Sequence, residues 1–230
     1  MPAVTIILPC RDEQTTIGAC IKGIRSALKG MSHEIIVSDS SKDHSASIAR
    51  SCGAKVISHC LRGYGAAYLQ ALPHAKGRVI VMMDADGTYD PEDIPHMLKA
   101  RTDYHADLVL GSRFHGRMQP GAMGLTRRVG NRFFTAWFNR KYRASLATPL
   151  SDTHCGLRVI KADLLSKLHL KETGMEFAIE LLAKAAACDT RIIEVPIQYR
   201  RRATRSKLHP LRDGLRHARF LLRSTRQSTQ

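Results

Sequence analysis

An α/β fold, with a mostly parallel central sheet and helices on both faces, is predicted by three observations. Short apolar, β-branched runs recur through the first 112 residues. Each is separated from the next by one segment of helical periodicity, and acidic residues stand at or just past the ends of several runs. Strands joined by single helices pair in parallel through right-handed crossovers, and such sheets bind ligands beyond the carboxyl ends of their strands. At 230 residues the chain can bury one substantial core, so a single domain is expected.

The elements follow in order. Residues 4–8 are apolar and form the first strand; Ile17, Ile21, Ile24 and Leu28 then mark one helical face. Residues 34–38 read as a second strand, 45–52 as a helix closed by Gly53, and 55–58 as a third short strand. A helix over 65–75 is cut short by Pro73, and 78–83 is the fourth strand. Asp90-Pro91-Glu92-Asp93 reads as a helix start with Asp90 as cap, and 107–110 as a fifth strand. Beyond it, 121–142 is basic, aromatic and helical; 156–161 and 191–197 are strands; 176–187 is a helix with Glu176 and Glu180 on one face. The ring cluster Phe133, Phe134, Trp137 and Phe138 is expected in the core, the other reading being an apolar floor for a lipid tail.

The net charge of +16 is localised. Residues 108–151 hold eight Lys or Arg and no acid, and residues 199–230 hold ten and one acid, Asp213. Such segments call for a polyanionic partner: nucleic acid, an anionic lipid surface or a phosphorylated ligand. The chain starts without a signal-peptide pattern and has no apolar run of the about 20 residues a bilayer requires, so a cytoplasmic protein is expected. Its six cysteines, none spaced Cys-x-x-Cys, read as free thiols.

Asp84-Ala85-Asp86, after a wholly apolar strand, is the sharpest chemical feature. By itself Asp-x-Asp is often only an acidic turn. At a strand end, two carboxylates this close repel unless a cation lies between them, and oxygen ligands suit Mg²⁺ or Mn²⁺ shared with a substrate phosphate. Asp39 closes the second strand in the same way, and Asp12 and Glu13 lie past the first. A nucleic-acid-binding protein would explain the basic segments but not this acidic rim. A nucleotidyltransferase would carry a glycine-rich basic loop where Pro9-Cys10-Arg11-Asp12-Glu13 stands.

Taken in order, Pro9 to Glu13, Asp39-Ser40-Ser41-Lys42-Asp43, Gly63-Tyr64-Gly65, Asp84-Ala85-Asp86-Gly87, Gly111-Ser112-Arg113, Asp152-Thr153-His154-Cys155-Gly156, Glu194-Val195-Pro196 and Arg202 with Ser206-Lys207 resemble the family 2 glycosyltransferases of GT-A fold, and among them the polyprenyl (dolichyl) phosphate sugar synthases. The resemblance implies a metal-dependent, inverting transfer of a hexose, uridine diphosphate donors being favoured over GDP-mannose, to a polyprenyl phosphate. It places Pro9, Arg11, Glu13, Asp39, Asp84, Ala85 and Asp86 on the nucleotide-sugar donor, with Asp84 and Asp86 holding Mg²⁺ or Mn²⁺. Arg113, Arg127, Asn131, Arg202 and Lys207 then gather the acceptor phosphate. Asp86, Arg113 and Asp152 carry the chemistry, Asp152 as base if the acceptor is a hydroxyl. Gly87-Thr88 departs from the Leu-Gln of the mannosyl enzymes, losing a possible ligand.

On this resemblance residues 1–112 are the donor half, 113–200 the acceptor side and 201–230 a basic tail. In the tail Leu211, Leu215, Ala218 and Leu222 share a helical face with arginines around it, a pattern suited either to packing on the domain or to an anionic membrane on its cytoplasmic side. A soluble hydroxyl acceptor is the alternative activity, and no nucleic-acid partner is expected.

Overall fold

The structure is a computed structural model that describes residues 1–204 and 210–223, with the side chains of 210–213 excepted. Seven strands form one sheet: β1 (Val4–Cys10), β2 (His33–Asp39), β3 (Lys55–Ser58), β4 (Val79–Met82), β5 (Leu108–Met118), β6 (Arg158–Lys161) and β7 (Ile192–Tyr199). Their order is β3-β2-β1-β4-β6-β5-β7. All pairings are parallel except those of β6, which runs antiparallel to both β4 and β5. The α/β architecture expected from the sequence is therefore present, with one reversed strand inserted at its centre.

Among the described residues eight α-helices cover it: α1 (Ile17–Ala27), α2 (Ser45–Ser51), α3 (Tyr64–Ala71), α4 (Asp93–Asp103), α5 (Leu125–Lys141), α6 (Ala162–Lys167), α7 (Phe177–Ala187) and α8 (Pro210–Arg223). Alternation along β1 divides the core between the sheet's two faces. Ile6 and Leu8 pack with Ile17, Ile21 and Ile24 of α1, Ala49 of α2 and Ile94 and Met97 of α4. Ile7 packs on the opposite face with Tyr68 of α3, Phe138 of α5, Leu164 of α6, Phe177 of α7 and Leu221 of α8.

Several local expectations are corrected. Asp90 does not cap α4, which begins three residues later; its carboxylate accepts the Glu92 amide at 3.2 Å and pairs with Arg200. Strand β5 runs on past Leu110 to Met118, so the 112/113 boundary between the halves falls inside one strand. Phe138 is buried as expected, but Phe134 and Trp137 are only half-buried and Phe133 is 62% exposed. Helix α8 docks through His217 and Leu221 and leaves Leu215 and Leu222 outside, 73% and 64% exposed. Leu215 and Leu222 of the stripe thus face outward, because the docking surface accepts the neighbouring face of the helix.

Candidate active site

The carboxyl ends of β1, β2 and β4 bring Asp39, Asp84, Asp86 and Glu13 to one edge of the sheet. Asp84 and Asp86 leave β4 in a turn closed by Gly87, whose φ of 77° is a conformation L side chains rarely adopt. The turn is fastened from below: the Ala85 carbonyl accepts the Thr16 hydroxyl at 2.8 Å and the Cys20 thiol at 3.5 Å. Asp86 Oδ1 accepts both the amide (3.0 Å) and the hydroxyl (2.6 Å) of Thr88. Thr88, which stands where a possible metal ligand of the mannosyl enzymes is lost, orients the carboxylate beside it.

Asp84 is held differently. Its Oδ1 is buried without a hydrogen-bond partner. Burial and the neighbouring Asp86 push its carboxyl up to about 7, against the opposing pull of Arg202, Arg113 and Arg158. Gly156 comes close above it: a Cβ there would lie 3.0 Å from Asp84 Oδ2, and the Gly156 amide donates to the Tyr89 hydroxyl at 2.7 Å. An orphaned carboxylate oxygen beside a second, oriented carboxylate fits a divalent ion. Among the described residues no three His, Cys, Asp or Glu gather as a closed cage. Two acids suit Mg²⁺ or Mn²⁺, which bind through one or two carboxylates and complete their shell with water and phosphate.

Arginines surround this pair. Arg202 donates to Glu13 and places Nη1 3.1 Å from Asp86 Oδ2, so it bridges the end of β1 to the turn after β4. Thr204 adds a hydroxyl to Glu13 at 3.2 Å. Arg113 is 7% exposed and grips fully buried Asp152 through Nε and Nη2, both at 2.7 Å, while its own amide reaches Asp152 Oδ2 at 3.1 Å. The guanidinium lies 5.2 Å from the centre of the Tyr199 ring. Glu194 fixes the acidic partner by accepting the amides of Ser151 (2.6 Å) and Asp152 (2.8 Å). Arg158 donates to the carbonyls of Thr153, Cys155 and Ala178, which sets the loop carrying Gly156.

The remaining expected residues fall as follows. Pro9 is half-buried and Arg11 exposed at the end of β1. Asp12, at φ 49°, accepts the Lys42 amide at 2.8 Å and so ties the loops after β1 and β2 together. Asp39 is buried and accepts the Ser41 hydroxyl at 2.6 Å. Arg127 and Asn131 stand half-buried one turn apart on α5, and Asn131 Nδ2 lies 3.8 Å from Met123 Sδ. Lys207 and Ser206 lie outside the described residues. Asp152, the expected base for a hydroxyl acceptor, has both oxygens engaged by Arg113. Thr88, Tyr89, Arg158 and Glu194 were given no site role from the sequence. Glu194 lies in the Glu194-Val195-Pro196 segment, and Thr88 and Tyr89 stand two and three residues past Asp86, so these three had a positional signal.

A mostly parallel sheet with one reversed interior strand, and helices on both faces, is the architecture of the GT-A glycosyltransferases. Solved structures share the fold: glucosyl-3-phosphoglycerate synthase of Mycobacterium tuberculosis, in complex with Mn²⁺, uridine diphosphate and phosphoglyceric acid, superposes with a TM-score of 0.73 at 22% identity over 97% of this chain and 77% of that one. The chain belongs to glycosyl transferase family 2, whose pattern matches residues 5–168. A low-salt glycan biosynthesis hexosyltransferase of Haloferax volcanii is 39% identical over 96% of this chain, which spans about half (53%) of that relative's length. The dolichyl-phosphate hexose transferase of the same organism is 32% identical over 92% of this chain and 89% of its own. The undecaprenyl-phosphate mannosyltransferase of Micrococcus luteus is also 32% identical, over 85% of this chain and 83% of its own.

Proposed function

We propose that this enzyme transfers a hexose, with inversion, from a nucleoside-diphosphate sugar to a polyprenyl phosphate. One observation carries the acceptor class: Asp152, Glu13 and Asp86 are each paired with an arginine. Asp152 is gripped by Arg113, and Glu13 and Asp86 by Arg202. A hydroxyl nucleophile needs a base, and none of these three is at liberty. A phosphomonoester, with its second pKa near 6, is already ionised at neutral pH and needs only positioning. Two relatives named for dolichyl and undecaprenyl phosphate support the same reading.

In this reading Pro9, Arg11, Glu13, Asp39 and Ala85 line the donor pocket, and Asp84 with Asp86 would hold Mg²⁺ or Mn²⁺. The ion supplies charge neutralisation to the departing diphosphate. Arg113, held in register by Asp152, and Arg202 present positive charge to the leaving group and the incoming phosphate. Arg127, Asn131 and Lys207 complete the acceptor side. Uridine diphosphate hexose is the favoured donor. No helix among the described residues is long and apolar enough to cross a membrane. In this reading the enzyme meets its lipid at the cytoplasmic face of the membrane through the basic stretch of α5 and the arginines of α8.

The test is a donor and acceptor screen: UDP- and GDP-hexoses, Mn²⁺ or Mg²⁺ against chelator, and a short-chain polyprenyl phosphate against the matching polyprenol and a soluble phosphomonoester. Transfer to the lipid phosphate alone, lost in chelator and in Asp86→Ala, is expected. Transfer to the polyprenol at equal rate would overturn the phosphate reading, and full activity in chelator would overturn the metal.

A further inference from the structure

The outward surface of α5 is not accounted for by the transfer site. Leu125, Val129 and Phe133 follow one another at i, i+4 and i+8 and are 76%, 60% and 62% exposed. Arg127 and Asn131 lie two positions on from Leu125 and Val129, about 200° further around a helix of 3.6 residues per turn. The row they begin continues inward to Thr135, buried and 2.9 Å from the Thr153 hydroxyl, and close to buried Phe138. The helix therefore docks one face on the domain and turns a continuous apolar ridge away from it. Helix α8 lies alongside: its His217 ring is 5.7 Å from Phe134, and Lys141 donates to the Leu221 carbonyl at 2.6 Å. It exposes Leu215 and Leu222 in turn.

We propose that the Leu125-Val129-Phe133 ridge, with Leu215 and Leu222, inserts into the acyl region of an anionic bilayer. Charge selects this occupant. Arg128, Arg132, Arg140 and Arg143 are exposed on α5 and just after it, Arg216, Arg219 and Arg223 are exposed on α8, and the chain has no acid between Leu108 and Ser151. An apolar ridge bordered by arginines matches the boundary between acyl chains and anionic headgroups. A second copy of the chain is disfavoured, because a two-fold interface on this surface would set the same arginines against themselves. The purpose of insertion rests on the lipid-acceptor reading: α5 would carry its lipid-facing ridge on one side and Arg127 and Asn131 on the other, so that a chain in the bilayer and its phosphate could be served by one helix.

The chain's single tryptophan, Trp137, stands one turn beyond Phe133, with ring centres 6.2 Å apart, and is a native reporter of this helix. The experiment titrates the full chain with vesicles of phosphatidylglycerol and phosphatidylcholine, and with phosphatidylcholine alone, reading Trp137 emission and its quenching by brominated acyl chains. Emission should shift to the blue and be quenched on anionic vesicles, and part of the binding should survive 0.5 M salt (roughly three times the ionic strength at which the Debye length is ≈ 8 Å). Phe133→Ser should weaken partition about tenfold, and Leu125→Ser/Val129→Ser/Phe133→Ser further, with the circular dichroism spectrum unchanged. Binding without a Trp137 response, equal binding of the triple variant, no binding at all, or a dimer dispersed by Phe133→Ser would each overturn the proposal. Insertion together with transfer only to a soluble acceptor would uphold the surface and refute the lipid acceptor. Transfer to short-chain polyprenyl phosphate in detergent without insertion would do the reverse.

Discussion

Replacing Asp152 by Asn tests the arrangement on which the acceptor argument depends. The substitution keeps shape and one acceptor oxygen but removes the charge opposite a guanidinium that is only 7% exposed. Removing one partner of a buried ion pair costs about 3–5 kcal/mol, because the other charge is left uncompensated. Asn retains one hydrogen bond and the contact with the Arg113 amide, so the lower end, about 3 kcal/mol, is expected. For a domain of this size that corresponds to a fall in Tm of about 6–12 °C. Urea denaturation followed by circular dichroism measures it. Adding Arg113→Met removes the stranded charge and should restore at least about 1 kcal/mol relative to Asp152→Asn alone. In the transfer assay Asp152→Asn should do its damage through Arg113, so the double variant should be no slower than Arg113→Met. A loss of stability below about 1 kcal/mol, or no recovery in the double variant, would refute the buried pair. Multiplying activity losses would mean that Asp152 acts independently, as a base does.

Three further outcomes are expected. Thr88→Val deletes the 2.6 Å hydroxyl contact to Asp86 while preserving volume, and should weaken Mn²⁺ binding about tenfold or more by direct titration, with little change in stability. Gly156→Ala sets a methyl 3.0 Å from Asp84 Oδ2 and 3.1 Å from the Tyr89 hydroxyl, and should depress metal-dependent donor binding while β6 and the fold persist; unchanged binding would show that the loop yields freely. His154 is buried, and burial, His217, Arg113 and Arg158 hold its imidazolium form well below the usual histidine range. The folded protein keeps it neutral while the unfolded chain takes up a proton below about pH 6.5, so stability should fall as pH drops through that value. His154→Gln should flatten this part of the profile, and an equal slope in both proteins would assign the effect elsewhere.

Much of the fold was readable because its signals are local. The apolar, β-branched run of residues 4–8 and the Ile17, Ile21, Ile24, Leu28 spacing are each legible from neighbouring residues alone, and β1 and α1 follow directly. The acid pair at Asp84 and Asp86 was visible for the same reason: an apolar strand that ends in two carboxylates announces an edge site. The antiparallel insertion of β6 between β4 and β5 was not visible, since strand direction depends on how the chain returns to the sheet.

The sequence by itself determined the α/β class, the acids at the strand ends, and the two basic segments, because periodicity, apolarity and charge are properties of contiguous residues. Tertiary structure alone decided which charges meet. Arg113 finds Asp152 from 39 positions away and Arg202 finds Glu13 from 189. It also decided which face of an amphipathic helix is covered. Both faces of α5 carry rings or aliphatic groups and both faces of α8 carry leucines, so each helix could bury either. The neighbours available to it, Thr153 for α5 and Phe134 for α8, exist only once the sheet has assembled and brought distant segments within contact range.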